Sequence, residues 1–236
     1  MSIYLIRHGE TPGNRDRIVQ VPETPLSDRG LDQAGRLAER LRLHPIRRIL
    51  ASDLVRAHMT AEALSGALGL PVESEPLLQE RNFGNLRGTP YDQLEEDLFG
   101  PAFAPPGGET WEEFYSRVDL AWEKVRALAL GIDGHLAVVT HGLVLHALAE
   151  RHLVQPGDVG PRGQGGAPRT IGNTSVTIVE RPGSEDTKRP AGGAAQRDGA
   201  DKEKAEGEVA WRIALFGCTE HLASLSAEAD AGITGI

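Results

Sequence analysis

The feature that most constrains the fold is a short apolar run at the N-terminus, Ser2–Ile6, which stops at Arg7-His8-Gly9. An apolar run of this length that ends in a polar turn is typical of a buried strand. Ligands of open α/β sheets bind beyond the carboxyl ends of the strands, so a histidine at this edge is placed for chemistry. The glycine directly after it predicts that a ligand approaches the backbone closely here.

The polar groups around this histidine suit an anion. Arg7 is always cationic, and Thr11 and Asn14 follow a few residues later. Guanidinium, hydroxyl and amide groups all donate hydrogen bonds to phosphate oxygens. An isolated Arg-His pair at a strand end is nevertheless more often part of the solvated surface, so this stretch alone leaves both interpretations open.

Length and charge limit the class of protein. A chain of 236 residues is long enough for one sizeable α/β domain, and we expect residues 1–236 to form a single domain. The net charge of -9 argues against nucleic acid or an anionic membrane surface as a partner. No stretch resembles a signal peptide or a membrane span, and the single cysteine, Cys218, forms no internal disulfide. These features favour a cytoplasmic protein.

Helical and strand patterns alternate along most of the chain, which predicts an α/β fold. Helices are expected from about Asp28 to Leu43, from a cap at Ser52, after a capping box at Thr110–Glu113, and from about Leu143 to His152. Strands are expected at Ile46–Ala51, Pro71–Glu73, Leu136–Thr140, Ser175–Val179 and Glu208–Phe216.

One segment does not fit this alternation. Between Arg181 and Glu208 there is no large apolar residue, and acidic and basic groups nearly balance. Such a segment cannot bury enough apolar surface to order itself. Because strand patterns flank it, we predict a mobile polar hairpin insert at about 181–208.

Four strand-to-loop junctions carry groups that chemistry could use: Arg7 with His8, Arg56, Glu80 and His141. Each also has an ordinary structural interpretation. Arg56 fits a surface helix position, Glu80 a solvated loop acid, and His141 a strand-end histidine bonded to backbone. The residues alone leave open whether these side chains converge.

The motifs around these residues carry a resemblance. They are Arg7-His8-Gly9-Glu10-Thr11, Ser52–Ala57, Glu80–Gly84 and Val138–Gly142. In this order they resemble the motifs of the histidine phosphatase superfamily, the phosphoglycerate mutase-like enzymes, over most of residues 1–180. The resemblance implies a three-layer α/β/α fold with a central, mostly parallel sheet.

The resemblance also implies a role for each site residue. His8 would accept the phosphoryl group, and Glu80 would act as general acid and base. Arg7, Arg56 and His141 would complete the catalytic set by surrounding the phosphoryl oxygens. The substrate would be held by Arg7, Arg56, Thr11, Asn14 and the backbone N–H of Gly142, which opens a helix.

We expect neither a metal nor a cofactor. The arginines near His8 repel a cation, and neither His8 nor His141 lies in a zinc-ligand spacing. The identity of the acid is less well determined, because Glu10, Asp53 and Glu109 also fall on plausible rim loops.

Three functions fit this pattern, in decreasing order of preference. The first is a phosphatase that hydrolyses small phosphomonoesters, the second a bisphosphoglycerate-dependent phosphoglycerate mutase, and the third a non-catalytic phosphate-binding scaffold. The short connection at residues 85–105, in which Arg87 is the only basic residue, resembles the phosphatase branch. The substrate expected is a small phosphorylated metabolite, and the sequence leaves the oligomeric state undetermined.

Overall fold

The computed structural model describes residues 1–154, 171–181 and 210–224. Its strands form one sheet in the order β3-β2-β4-β1-β6-β7-β5. They are β1 (Ser2–Arg7), β2 (Ile46–Ala51), β3 (Val72–Ser74), β4 (His135–Thr140), β5 (Leu153–Val154), β6 (Val176–Glu180) and β7 (Trp211–Cys218).

The sheet is mostly parallel. Strands β3, β2, β4 and β1 pair in parallel, and β5 pairs in parallel with β7. Only β6, among the described strands, runs antiparallel to both of its neighbours, β1 and β7. The parallel strands therefore bring their carboxyl ends to one edge of the sheet.

Helices cover both faces of this sheet. They are α1 (Pro12–Arg15), α2 (Asp28–Leu41), α3 (Val55–Leu68), α4 (Trp111–Leu130) and α5 (Gly142–Arg151). Alternate residues of β1 point to opposite faces: Ile3 and Leu5 join a core with α4 and α5, whereas Tyr4 and Ile6 join a core with α2 and α3. The predicted three-layer α/β/α fold is confirmed.

Helix α4 shows how the local sequence determines where a helix begins and which of its faces is buried. Thr110 caps it, and the reciprocal bonds between Thr110 and Glu113 form the predicted capping box. Its apolar side chains recur at helical spacing, and Phe114, Val118 and Val125 are fully buried. Each such burial stabilises the fold by about 1.5–3 kcal/mol. The helix thus forms one outer layer of the fold.

Two of the expected helix boundaries were wrong. Helix α2 ends at Leu41, and Leu43, beyond its end, is 83% exposed. Helix α3 begins at Val55 with Leu54 as its N-cap and no side-chain cap. Ser52 lies two residues before this N-cap, where its hydroxyl accepts the N–H of Leu54 and bonds the ring of His141.

The glycine after the first histidine also serves a different purpose from the expected one. A Cβ atom on Gly9 would lie 2.7 Å from the carbonyl oxygen of Gly30 in α2. The space beside Gly9 is therefore taken by the first turn of α2, and the expectation that it admits a ligand was wrong. Gly9 allows the helix to approach the loop closely.

The insert predicted at about 181–208 lies almost wholly outside the described residues. The strands on either side of it, β6 and β7, pair antiparallel. The hairpin insert and the single domain over 1–236 stay predictions. Within the described ranges, no helix is both long and apolar enough to cross a membrane.

Candidate active site

The site lies where neighbouring strands end. β1 and β4 pair in parallel with Arg7 opposite Thr140, so His8 and His141 follow at the same level. The backbone N–H of His8 donates to the carbonyl of Thr140 over 3.0 Å. The two imidazole rings lie with their centroids 5.1 Å apart. Strand pairing therefore brings together two histidines that are far apart in the sequence.

His8 is held as a neutral imidazole with one free nitrogen. Its Nδ1 lies 2.7 Å from the carbonyl oxygen of Gly9. A carbonyl can only accept, so Nδ1 carries the proton and Nε2 keeps its lone pair. Burial, together with the charges of Arg56 and Arg7, holds the pKa of His8 well below its ordinary value of 6.5. Nε2 is thus available as a nucleophile at neutral pH.

Two buried arginines lie beside this ring. Arg7 and Arg56 are only 4% and 3% exposed. Arg7 donates through Nη1 to the carbonyl of Ile171 at 2.6 Å, and Arg56 through Nη1 to that of Val21 at 3.3 Å. The Nε atom of each is buried and finds no partner among the described residues. Unpaired buried donors of this kind are costly, so the pair is suited to an anionic ligand.

Burial also lowers the pKa values of these two guanidinium groups. It lowers the pKa of Arg56 to about 10, against the opposing attraction of Glu80. Arg7 shifts in the same direction for the same reason. Arg56 remains cationic at neutral pH because its lowered pKa lies well above 7. An arginine side chain keeps its proton in proteins, so Arg7 is cationic as well.

Glu80 provides a carboxyl group in the same cleft. Its Oε1 accepts from the N–H of Arg81 at 3.0 Å, and its Oε2 from the N–H of Leu143 at 3.3 Å. Burial raises the pKa of Glu80 above its ordinary 4.5, although these bonds and the charges of Arg56 and Arg7 oppose the rise. The net effect favours the protonated form, which a general acid needs.

His141 is fully buried, and Ser52 fixes its orientation. The Oγ of Ser52 lies 2.8 Å from Nε2 of His141 and accepts the N–H of Leu54 at 3.3 Å. If the hydroxyl proton is donated to Nε2, the neutral ring carries its own proton on Nδ1. Nδ1 is buried without a partner among the described residues. Burial, then the charge of Arg56, holds the pKa of His141 well below 6.5.

An ion pair between Arg117 and Glu109 supports the loop that carries Glu80. Arg117 donates to both carboxylate oxygens of Glu109 at 2.7 Å. The same guanidinium donates to the carbonyls of Leu77 and Gln79 at 2.9 and 2.8 Å. Glu109 also accepts the N–H of Asn82. Of the alternative acids, Glu109 is therefore engaged in holding the loop.

The other two alternative carboxylates have partners as well. Glu10 accepts from the hydroxyl of Ser27 at 2.9 Å, and Asp53 accepts from the side-chain amide of Gln79 at 2.7 Å. Neither lines the cleft, which Glu80 does. The structure thus leaves Glu80 as the one described carboxylate that lines the cleft together with His8.

A polar wall closes one side of the cleft. Oδ1 of Asn14 accepts the N–H of Thr11, which leaves the Nδ2 group of Asn14 as its donor. Thr11 is fully buried as the N-cap of α1, where its hydroxyl bonds Asn14 and Gln20. Asn14 lines the cleft, whereas Thr11 lies behind it. Thr11 is therefore placed to hold Asn14.

Comparisons with known proteins agree with this arrangement. A model of the histidine phosphatase superfamily (branch 1) matches residues 3–189. A probable phosphoglycerate mutase GpmB of Yersinia pestis (strain Pestoides F) is 34% identical over 166 residues, which cover 66% of this chain and 76% of the relative. The chain belongs to the histidine phosphatase superfamily.

Solved structures of related proteins show the same fold as this chain. A mycobacterial glucosyl-3-phosphoglycerate phosphatase superposes with a TM-score of 0.66 at 26% identity, over 92% of this chain and 98% of its own. Bacillus stearothermophilus YhfR superposes with a TM-score of 0.69 at 26% identity, over 94% and 98%. The chain is thus similar to proteins named as a mutase and as a phosphatase.

The histidine phosphatase cleft brings together most of the side chains predicted for it. Its lining includes Arg7, His8, Asn14, Arg56 and Glu80, and it encloses about 520 Å³ of space, part of it open to solvent. His141 is absent from this lining, but its ring lies beside that of His8, with the ring centroids 5.1 Å apart. Gly142 is buried in the first turn of α5, one residue before the N–H that Glu80 accepts.

The sequence analysis missed three residues of the cleft lining and one residue that supports the loop of His8. Gln20, Arg87 and Tyr91 line the rim. Asn173 donates through Nδ2 to the carbonyl of His8 at 3.1 Å and so supports the loop that carries His8. A polar residue just before a strand was the only signal for Asn173, and the lone basic residue of its segment was the only signal for Arg87.

Proposed function

We propose that this histidine phosphatase hydrolyses small phosphomonoesters without a metal, through a phosphohistidine on His8. The observation that carries the proposal is the buried, neutral imidazole of His8, whose Nδ1 is tied to Gly9 and whose Nε2 is free. The nucleophile lies among arginines that leave buried donors unpaired. A dianionic phosphoryl group is the ligand that matches them.

The first half of the reaction forms the phosphoenzyme. The lone pair of His8 Nε2 attacks phosphorus, and the bond from phosphorus to the ester oxygen breaks. Protonated Glu80 gives its proton to the departing alkoxide, so that an alcohol leaves. Arg7 and Arg56 neutralise the charge on the equatorial oxygens, and the Nδ1–H of His141 offers another donor.

The second half returns the enzyme to its starting state. Glu80, now a carboxylate, takes a proton from a water molecule as the water oxygen attacks phosphorus. The bond from phosphorus to Nε2 breaks, which releases inorganic phosphate and neutral His8. Glu80 is then protonated again and ready for the next ester.

Metal independence forms part of the proposal. Arg7 and Arg56 already supply the positive charge that a metal ion would otherwise bring to the phosphoryl oxygens. Two buried cations beside His8 and His141 also make this position unfavourable for a third. We infer that the two arginines replace a metal.

The second candidate is a bisphosphoglycerate-dependent phosphoglycerate mutase, favoured by the GpmB relative. A mutase returns the phosphoryl group from His8 to a second hydroxyl, whereas a phosphatase gives it to water. A non-catalytic scaffold ranks last, because His8, Glu80 and His141 are all present. We further infer a cytoplasmic enzyme that acts on a phosphorylated metabolite and binds neither nucleic acid nor membranes.

The test is phosphate release from 4-nitrophenyl phosphate with and without EDTA. The proposal expects release by the wild type, no effect of EDTA, and none from the His8→Ala variant. Loss of activity in EDTA would overturn metal independence. A wild type that releases no phosphate but interconverts phosphoglycerates with bisphosphoglycerate would be a mutase, and one inert in both assays would be a scaffold.

A further inference from the structure

The cleft carries more positive charge than a phosphomonoester needs. The whole chain has a net charge of -9, yet the described residues that line the cleft include four arginines and only one carboxylate. In the proposed reaction Arg7 and Arg56 balance the two negative charges of the ester, while Glu80 is protonated. The rim arginine, Arg87, is then left without a counter-charge.

The fourth arginine of the lining is already used by the fold. Arg81 is 2% exposed and donates to the carbonyls of Leu98, Phe103 and Glu109 at 2.7–3.2 Å. Its guanidinium also lies 3.8 Å from the ring centroid of Trp111. Arg81 is therefore a structural cation, and it is not available to a ligand.

Arg87 differs from Arg81 in having no such partners. It is half-buried at the rim, and no described side chain or carbonyl forms a hydrogen bond or ion pair with its guanidinium. Its charge nevertheless reaches the phosphoryl site, because it is one of the groups that lower the pKa of Arg56, after burial and Arg7. Arg87 is thus free and within electrostatic reach of the reacting group.

Backbone hydrogen bonds hold the rim segment that carries Arg87 in place. Gly88 donates to the carbonyl of Val19 at 2.7 Å, and Val19 donates to that of Thr89 at 3.0 Å. Two residues further on, Tyr91 donates to the carbonyl of Arg17 at 2.8 Å. A cation on a braced segment loses less freedom when it binds a ligand. Tyr91 and Gln20 line the same rim with further hydrogen-bonding groups.

We propose that Arg87 binds a second anionic group on the substrate, carried by the alcohol that leaves. The inference rests on the proposed function and narrows its substrate class to phosphomonoesters that bear a carboxylate or another phosphate. A guanidinium donates two parallel hydrogen bonds to either group. Arg87 therefore determines specificity, whereas the bond-breaking steps use His8 and Glu80.

The experiment compares esters that differ only in the second anion. For the carboxylate, kcat/KM is measured with 2-phosphoglycolate against ethyl phosphate, and for the phosphate with propane-1,3-diol bisphosphate against propyl phosphate. For at least one of the two pairs, the wild type should have a kcat/KM roughly tenfold to a hundredfold higher for the ester with the second anion, the range of one charged hydrogen-bonding pair. Which pair shows the preference identifies the second group.

Variants locate the source of the preference. Arg87→Gln should abolish most of it, because kcat/KM for the ester with the second anion should fall much more than kcat/KM for 4-nitrophenyl phosphate. Arg15→Gln is the matched control, because it removes the same charge from an exposed position on α1 where the guanidinium bonds Asp16. The preference should survive in that control. No preference in the wild type, or the same preference in Arg87→Gln, would overturn the inference.

Binding separates this inference from the proposed function. In the His8→Ala background, titration calorimetry with 2-phosphoglycolate, the bisphosphate and their counterparts without the second anion, ethyl phosphate and propyl phosphate, measures affinity without turnover. If the ester with the second anion binds more tightly than its counterpart, and adding Arg87→Gln removes this difference, the second-anion site is supported even if no ester is hydrolysed. Equal affinities with and without Arg87 contradict it even if hydrolysis is fast.

Discussion

The substitution Glu80→Gln separates proton donation from every other property of the carboxyl group. Glutamine keeps the size of the side chain and an acceptor for one backbone N–H, but it has no proton to give. One of the two donors, Arg81 or Leu143, then faces the amide NH2 group instead of an oxygen. This lost bond should cost about 1–3 kcal/mol of stability, which thermal unfolding measures.

The effect on rate depends on the leaving group. Ethoxide is strongly basic and needs the proton, so kcat/KM for ethyl phosphate should fall by about 10²–10⁴-fold, the usual contribution of a general acid. Nitrophenolate leaves readily as an anion, so the fall for 4-nitrophenyl phosphate should be less than about tenfold. The ratio of the two losses is the informative quantity, because misfolding lowers both rates together.

The assay compares kcat/KM values, which report the steps up to release of the alcohol. Glu10→Gln serves as the control, because Glu10 is a carboxylate near the same edge that bonds Ser27 and lies outside the cleft lining. The control should leave the ratio between the two esters unchanged. Equal losses for ethyl and nitrophenyl phosphate in Glu80→Gln would refute the assignment of Glu80 as the acid.

Three further predictions follow from the site. Ser52→Ala should lower kcat/KM about tenfold by freeing the ring of His141, as expected for one buried hydrogen bond. ¹⁵N NMR should show the Nδ1–H tautomer of His141 in the wild type and its loss in the variant. The control Ser65→Ala deletes a hydroxyl hydrogen bond at the far end of α3 and should change neither kcat/KM nor the tautomer. The pKa of His8 is lowered from 6.5 and that of Glu80 is raised from 4.5. After correction for the ester's own second ionisation, at a pKa of about 6, kcat/KM for ethyl phosphate should fall as pH rises through the raised pKa of Glu80 and should not fall as pH drops through 6.5. A corrected kcat/KM that increases from pH 5 to 8 would contradict these directions. Glu109→Gln weakens the ion pair with Arg117 and should lower the free energy of unfolding by about 1–3 kcal/mol. It should lower kcat more than it raises KM. Unchanged thermal unfolding would show that the ion pair does not hold the loop.

Much of the fold was predictable because local signals and packing agree. β2 was placed at its observed bounds, because apolar residues at Ile46 and Ile49–Ala51 lie between Pro45 and the polar pair Ser52-Asp53. The start of α4 follows from one capping box, whose bonds are local. By contrast, the end of α2 near Leu41 depends on the turn beyond it, and helical periodicity alone extends past that point.

The side chains proposed to be catalytic were named from motifs, but the residues that support them were not. Ser52 bonds His141 only because β2 and β4 are neighbours, a pairing that links residues far apart in the chain. Asn173 supports His8 from the segment before β6, which pairs with β1. Gly9 was assigned to a ligand because its contact with Gly30 of α2 is also long-range. Such contacts leave no periodic signal in the sequence.

The most direct test of the account is to trap the phosphoryl group on the enzyme. Glu80→Gln should still react with 4-nitrophenyl phosphate but hydrolyse the intermediate slowly, because water loses its general base. Rapid quenching in alkali followed by peptide mapping should then find one phosphoryl group, on His8, and none when His8→Ala is added. A phosphoryl group on another residue, or turnover that persists in His8→Ala, would contradict the central claim.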